Sequence, residues 1–383
     1  MLHVTSLSGE KYAVPAQDNG DARALKAYFS RTHGFPPRFQ QRLFLDGNEL
    51  EDSTGLEAAM ELNLLLLPLS CTQPDELVAA IAEESAAQVE TLLKIPQDPN
   101  QADLDSRLPL LVASAAGNVD IVRLLLEARA NTNSADSIGC TALMRACKSD
   151  HADVGRLLLE AGADMDLVDI DGYTALMRAS DKGHASVVKL LLQAGASTGI
   201  VSENSCSALM FASTRGREEA TRLLLEAGAD PNFITEKGLR GYTPLMNASS
   251  SGHTQVVQLL LAGRADPNVA GNVGQTALMG AAGQGRVEVV RLLLEARSDA
   301  NLSAESGSTA LDDAGDHREV VALLEPHVEW RPGNNRKQSA TGSSCQAEAK
   351  ATDAERRAEA QQVSSLRTNE HGTIQKLTLV ATR

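Results

Sequence analysis

The chain has 383 residues and a formal net charge of −15, with 43% hydrophobic residues but only 3% aromatic ones. Apolar content drawn from Leu and Ala favours packed helices, and an acidic chain repels phosphate backbones, which argues against nucleic-acid binding. No apolar run approaches the ~18 residues that span a bilayer, and a secretion signal is missing, so we expect a cytoplasmic protein without membrane insertion, with the nucleus as a further location.

The cysteines indicate free thiols in a reducing compartment. They form neither a Cys-x-x-Cys pair nor a metal-ligand cluster, and their number is odd. No residues with catalytic spacing accompany them, and the glycines at 271–285 lack the Lys of a phosphate loop. We therefore predict a non-enzymatic protein without a cofactor or a bound metal.

The first 69 residues alternate like strands near both ends, at 2–5 and 62–66, around one helix-patterned stretch. That stretch runs from Asp21, a suitable N-cap, to His33, and Gly34 then ends it. Strands flanking one helix predict a small α+β domain.

The residues of this segment resemble ubiquitin. The resemblance is carried by Leu7-Ser8-Gly9-Glu10-Lys11, Gly34-Phe35-Pro36-Pro37, Gln40-Gln41-Arg42-Leu43, Gly47 and Leu50-Glu51-Asp52. Between the second and third of these, Arg38-Phe39 makes the loop one residue longer than usual. The resemblance implies a ubiquitin-like β-grasp domain over residues 1–69, and the missing Gly-Gly pair after Leu69 implies that it is not conjugated to substrates.

Ubiquitin's apolar recognition patch corresponds here to Leu7, Phe44 and Leu65, with Arg42 and Asn63 beside them. The resemblance therefore implies that these five residues bind ubiquitin or proteasome receptors. Large apolar side chains exposed together usually mark a contact surface. The alternative is that they are ordinary surface residues or face the linker.

Residues 70–104 suit a linker and an N-terminal capping repeat, with apolar positions at Leu77, Ile81, Val89, Leu92 and Leu93. Beyond them a motif beginning Thr-Ala-Leu-Met recurs every 33 residues, apart from one spacing of 36; its copies start at Thr141, Thr174, Ser207, Thr243 and Thr276. Each copy opens a short helix that the hydroxyl can cap, followed by a Gly-containing turn and a second helix with a Leu-rich stripe. Such helix pairs cannot bury their stripes alone, so neighbouring units must stack.

The period and the motif resemble ankyrin repeats, whose pattern is Thr-Pro-Leu-His-x-Ala. The resemblance implies a mainly α fold, an ankyrin-repeat solenoid over residues 105–330 including a C-terminal cap. Two departures stand out. Methionine takes the place of the His, and we interpret it as core filler. Arginine replaces the glycine after the second helix at Arg129, Arg264 and Arg297, which predicts strained or reshaped turns.

Ankyrin stacks bind proteins with the concave face of their first helices and with their hairpin tips, and the resemblance carries both sites to this chain. The concave positions are Arg145, Lys148, Arg178, Lys182, Phe211, Arg215 and Asn247. The tip positions are Asp136, Asp169, Asp171, Glu203 and Glu236. A basic face beside acidic tips predicts a partner of matching charge, anchored on Phe211.

Residues 331–383 are dominated by Gly, Asn, Ser, Ala, Gln and Thr, which predicts disorder. Three hypotheses fit the whole chain. The first is a monomeric adaptor whose stack holds a client protein while the ubiquitin-like domain engages ubiquitin or proteasome receptors. The second is a plain scaffold whose N-terminal domain only packs on the first repeat. The third is a regulatory subunit that covers an enzyme's active site.

Overall fold

The computed structural model describes residues 1–15, 20–57, 60–69, 74–95, 97–235 and 241–328. Glu236 and the predicted disordered tail, residues 331–383, lie outside these ranges. Within them a sheet domain comes first and paired helices follow.

The N-terminal residues that the structure describes form a five-stranded sheet with one helix packed across it. The strands are β1 (Leu2–Ser6), β2 (Lys11–Val14), β3 (Gln41–Leu45), β4 (Asn48–Glu49) and β5 (Glu61–Leu66). Their order is β2-β1-β5-β3-β4, and β1 and β5 run parallel at the centre. Inward side chains of the strands pack with Leu25 and Phe29 of helix α1 (Ala22–Thr32). This arrangement confirms the predicted α+β fold and is consistent with a β-grasp-like domain.

Local signals set both ends of α1. Asp21 accepts a hydrogen bond from the backbone N–H of Ala24 at 2.7 Å and so caps the first turn, as predicted. Beyond the other end Gly34 has a φ of 67°, a left-handed conformation that glycine adopts without steric cost. The chain then makes one 3-10 turn, Arg38–Gln40, before β3.

The paired helices form units 1 to 8 in chain order. The first helices are α2 (Pro74–Ala82), α4 (Pro109–Ala116), α6 (Ala142–Lys148), α8 (Ala175–Lys182), α10 (Ala208–Thr214), α12 (Pro244–Ser251), α14 (Ala277–Gly283) and α16 (Ala310–Asp313). The second helices are α3 (Ala86–Lys94), α5 (Val119–Glu127), α7 (Ala152–Glu160), α9 (Ala185–Ala194), α11 (Glu218–Glu226), α13 (Thr254–Ala262), α15 (Val287–Glu295) and α17 (Arg318–Leu324). First helices pack on neighbouring first helices and second helices on second helices, so that each unit buries its stripe against the next. One apolar core runs from Leu77 to Leu324.

A hydroxyl side chain caps the first helix of units 3 to 8. Its oxygen accepts the backbone N–H three residues later at 3.2–3.4 Å, and the caps are Thr141, Thr174, Ser207, Thr243, Thr276 and Thr309. The methionines of the motif are at most 4% exposed, which confirms that they fill the core; they are Met144, Met177, Met210, Met246 and Met279.

The predicted strained turns are confirmed. Arg129, Arg264 and Arg297 have φ values of 63°, 68° and 64°, a left-handed conformation that costs a residue other than glycine about 1 kcal/mol. The backbone carbonyls of Arg264 and Arg297 accept hydrogen bonds from the side-chain amides of Asn232 and Asn268. These bonds join neighbouring units and help to hold the turns in place.

Histidines in the turn between the two helices link one unit to the one before. A Cβ at Gly117 would lie 2.4 Å from the His151 ring, so a side chain there would require the ring to move. In the next unit the equivalent residue is Asp150, which has a φ of 64° and lies beside His184. The Nε2 atom of His151 lies 3.1 Å from the carbonyl oxygen of Ala115, and His184 and His253 make the same contact with the unit before them. The recurring histidines are therefore structural links between units.

Candidate protein-interaction surfaces

The N-terminal domain is joined to units 1 and 2 through Arg38. Its guanidinium pairs with Glu90 on α3 and Glu127 on α5, at N–O distances of 3.3 and 2.5 Å, and with Asp52 of its own domain. The Arg38 side chain is 3% exposed, and its Cζ lies 3.9 Å from the centre of the Phe39 ring. Phe39 belongs to the core of the repeats, not to that of the sheet domain. The longer loop noted in the sequence thus supplies the docking residues.

Two further arginines hold the same boundary through backbone oxygens. Arg129, in the left-handed turn after α5, donates to the carbonyl oxygens of Ser30 and Phe35 at 3.2 and 2.9 Å. Arg42 on β3 donates to the carbonyl oxygen of Lys94 at the end of α3. The N-terminal domain therefore rests on the second-helix side of units 1 and 2.

The predicted recognition patch lies on the outer face of the sheet. The register of β3 and β5 places Arg42 opposite Leu65 and Phe44 opposite Asn63, so four of the five predicted residues adjoin. Leu7 follows β1 in the turn to β2 and is 74% exposed. Phe44 and Leu65 are half-buried, and Arg42 is engaged with α3. The apolar part of this face is accessible, whereas its guanidinium is already bound.

Equivalent positions on α6, α8, α10 and α12 carry Arg145, Arg178, Phe211 and Asn247. Tyr173, just before α8, lies between two of them. The Cζ atom of Arg178 is 4.1 Å from the centre of the Tyr173 ring, and the Phe211 ring centre is 4.9 Å away on a tilted plane. We call Arg178, Tyr173 and Phe211 the aromatic platform; sequence reasoning missed Tyr173, which the repeat motif does not single out.

In two of the units the predicted basic residues pair with the predicted acidic tip residues beside them. Arg145 pairs with Asp136 of its own unit at 2.5 Å, and Arg178 pairs likewise with Asp169. Asp169 is only 5% exposed and also accepts the backbone N–H of Tyr173, so it closes the hairpin from inside. Burial would raise the pKa of Asp136, but hydrogen bonds from Arg145 and from backbone N–H groups outweigh it, and the pKa lies below its usual value.

The other predicted basic residues differ in how free they are. Arg215 pairs with Asp181 of the preceding unit at 2.9 Å, and Lys182 lies 3.7 Å from the same carboxylate. Lys148 is exposed and forms no ion pair with any residue that the structure describes. Asn247 is half-buried. Within the described part, Lys148 is the cation of this face best placed to meet a partner.

The hairpin tips keep two of their predicted acidic residues at the surface. Asp171 and Glu203 are exposed, and the backbone N–H of Glu203 donates to the carbonyl oxygen of Asp171 at 2.9 Å. Glu236 lies outside the described residues. Sequence reasoning gave no role to the aliphatic side chains Ile138 and Ile170, which are exposed on the same tips.

Neither thiol chemistry nor a metal centre is indicated by the described residues. Cys140 and Cys147 are buried and Cys206 is half-buried, and burial raises the pKa of each thiol, which disfavours the reactive thiolate. Within the described ranges, no three His, Cys, Asp or Glu side chains gather as a metal site would require. No described helix is both long and apolar enough to cross a membrane.

A family model of ankyrin repeats, in three copies, matches residues 77–169, 156–235, 176–270 and 245–330, which together span more than half of the chain. The chain belongs to the ankyrin-repeat family. The ankyrin stack is similar to a crystal structure of the human ASB11 ankyrin repeat domain, with 29% identity and a TM-score of 0.53 over 59% of this chain and 100% of that chain. No curated protein matches the chain. Ankyrin-repeat proteins are generally non-enzymatic interaction modules, so the stack indicates a scaffold that binds other proteins.

Proposed function

We propose that this protein is a non-enzymatic adaptor that holds a client protein on its ankyrin stack and engages ubiquitin or proteasome receptors with its N-terminal domain. The observation that carries the client-binding half is the aromatic platform on the first-helix side. Rigid aromatic rings beside an Arg side chain form the usual composition of a binding hot spot. Lys148 and Asn247 extend this face on either side of the platform.

The receptor-binding half rests on the ubiquitin resemblance of residues 1–69 and on the accessible apolar side chains on the outer face of the sheet. Docking to the stack uses Arg38, Phe39, Arg42 and the end of α1. It leaves Leu7, Phe44 and Leu65 without a bond to the stack. Leu7 is exposed and Phe44 and Leu65 are half-buried, and apolar side chains accessible to water favour a contact role. A domain so used would act in the cytoplasm or nucleus, where ubiquitin receptors work.

The client site is tested by comparing clients retained from a lysate by the full chain and by Phe211→Ala. Loss of the platform aromatic should release the client faster, since truncating an anchor costs roughly 2 kcal/mol or more. Lys189→Ala, exposed on the second helix of the same unit as Tyr173, is the control and should leave binding unchanged. Equal retention by all three proteins would remove the aromatic platform from the client site.

The receptor site is tested by NMR of the full chain labelled at Leu and Val methyl groups. Adding a ubiquitin-interacting-motif peptide should shift the Leu7 and Leu65 signals, and Phe44→Ala should weaken binding by roughly 2 kcal/mol. Leu104→Ala removes an exposed aliphatic side chain from a repeat loop and should leave the affinity for this peptide unchanged. Unmoved Leu7 and Leu65 signals would contradict receptor binding.

The buried docking of Arg38 and Phe39 favours a second candidate, a plain scaffold whose N-terminal domain only stabilises the stack. In that case removal of residues 1–69 destabilises units 1 and 2 but leaves client affinity unchanged. Hydrogen exchange of α3 and α5, measured with and without the domain, reports the first effect. A client affinity that depends on the domain would exclude this candidate.

A further inference from the structure

Five large aliphatic side chains stand exposed on the loops between units 1 and 5. Their exposed fractions run from 36% to 91%, and they are Leu104, Ile138, Val168, Ile170 and Val201. Within described residues 97–328 they are the only large hydrophobic side chains so exposed. We call these five residues the hairpin strip.

Backbone contacts hold the loops that carry Ile138, Ile170 and Val201 edge to edge. The N–H of Ile170 donates to the carbonyl oxygen of Ile138 at 3.1 Å, and the N–H of Glu203 donates to that of Asp171 at 2.9 Å. A Cβ at Gly172 would lie 2.7 Å from the Glu203 nitrogen, so the glycine permits this close approach. These three loops therefore form a preformed edge, which reduces the ordering cost of binding.

The fold does not require apolar side chains at these places. In equivalent positions of other units, Ser137, Glu203 and Glu305 replace Ile170, while Asp105 and Asn204 replace Ile138. The backbone contact between tips is nevertheless repeated where these replacements occur, as in the bond from Glu305 N–H to the carbonyl oxygen of Val273 at 3.0 Å. Exposed aliphatic residues that the fold does not need point to a contact surface.

The charges beside the hairpin strip select the partner. Asp171 and Glu203 are exposed on the same tips, whereas Arg145 and Arg178 are turned inward to Asp136 and Asp169. Asp105 is also exposed, but it pairs with Arg107 at 3.4 Å. Complementary charge favours a partner with cations on both sides of its apolar residues. We propose that the hairpin strip binds a protein segment whose aliphatic side chains are flanked by Lys or Arg. This proposal rests on the proposed function of the stack in binding a protein.

Selection of a displayed random-peptide library on the full chain tests the proposal without a known client. Enriched peptides should carry Ile, Leu or Val with Lys or Arg and a net positive charge. One such synthetic peptide should bind the double variant Ile138→Ser with Ile170→Ser about tenfold or more weakly. Ser already stands at the equivalent position 137, so the variant should keep its thermal unfolding midpoint.

Two further variants distinguish the contribution of the hairpin strip to peptide affinity from that of a general loss of exposed apolar surface and from that of the neighbouring charges. Ile95→Ser removes a half-exposed isoleucine from unit 1, outside the strip, and should leave peptide affinity unchanged. Asp171→Asn with Glu203→Gln should weaken binding at low salt and flatten its salt dependence, since exposed charges are screened over about 8 Å at physiological salt.

Several results would overturn the proposal. They are enrichment of acidic or purely aromatic peptides, no enrichment, or an affinity that the double variant does not change. Self-association abolished by the double variant would assign the strip to a second copy of the chain. Peptide binding lost in Phe211→Ala but kept in the double variant would leave the proposed function standing while removing the hairpin strip from it.

Discussion

Arg38 and Glu127, 89 residues apart in the chain, meet across the boundary between the N-terminal domain and the ankyrin stack with an N–O distance of 2.5 Å. The Glu127 carboxylate also forms an ion pair with Arg23, at an N–O distance of 2.8 Å, but the Arg23 side chain is 44% exposed. Two arginines of one domain thus share a carboxylate of the other. Their very different burial makes them a matched pair for measuring how firmly the domain is held.

Arg38→Ala should lower the free energy of unfolding by about 3 kcal/mol, because it leaves three carboxylates without their shared cation and uncovers Phe39. Arg23→Ala should cost about 1 kcal/mol or less, as solvent screens its pair. Urea unfolding of both variants measures the difference. Equal losses would show that burial of Arg38 does not decide the strength of docking.

The stability of the N-terminal domain should depend on pH through Asp52. Burial would raise the pKa of this carboxyl, but hydrogen bonds and charge from Lys26 and Arg38 outweigh it, and the pKa lies below its usual value. Such a group stabilises the fold above its unfolded pKa of about 3.9, and the contribution is lost as pH falls through the lower folded pKa. Between about pH 4 and pH 2, wild-type stability should therefore fall more steeply than that of Asp52→Asn. Parallel curves from urea unfolding at several pH values would assign the acid sensitivity to other carboxyls.

The loss of unfolding free energy caused by truncating a core leucine should depend on the position of its unit along the stack. Leu191 and Leu324 are both fully buried, but Leu191 lies in unit 4 between two units, whereas Leu324 lies in unit 8, the last described. Leu191→Ala should cost about 2–5 kcal/mol and Leu324→Ala less, because a central unit packs on two neighbours. Chemical denaturation measures both, and a larger loss at Leu324 would argue against nearest-neighbour stacking.

Charge reversal on the first-helix face should destabilise the fold at Arg178 but not at Lys148. Arg178→Glu places a second carboxylate against buried Asp169 and should destabilise the stack by about 3–5 kcal/mol. Lys148→Glu reverses an exposed charge and should change stability by no more than about 0.5 kcal/mol. Thermal unfolding compares them. An Arg178→Glu protein as stable as the wild type would show that the ion pair with Asp169 is not needed for folding. Because Lys148→Glu should leave the fold intact, it is the better variant for testing client binding.

Signals that act within a few residues could be predicted from the sequence. Asp21 as the cap of α1, the hydroxyl caps such as Thr141, and the left-handed turn at Arg129 all depend on backbone groups close by in the chain. The 33-residue period also predicted that the units stack, because the apolar stripe of each unit has only the neighbouring units to pack against.

Features that depend on distant or irregular contacts could not be predicted. Arg38 was visible as one extra loop residue, but its partners Glu90 and Glu127 come from another domain. The pair Arg145–Asp136 spans a hairpin whose shape fixes the direction of the guanidinium, whereas charge alone indicated only a basic face beside acidic tips. Tyr173 gains meaning only from the neighbouring ring of Phe211.

The turn residue under each linking side chain limits how this protein can change in length. It is a glycine in five of the described turns and the left-handed Asp150 under His184. His151 covers Gly117, Arg217 covers Gly183 and His317 covers Gly285, and each covering residue comes from the unit after its glycine. A duplicated or deleted segment of one whole period keeps each covering residue over a turn residue with a positive φ. A change of any other length at these turns would separate the covering side chain from that turn residue. Evolution can therefore lengthen or shorten the stack most readily in whole units, inserted in the same direction along the chain.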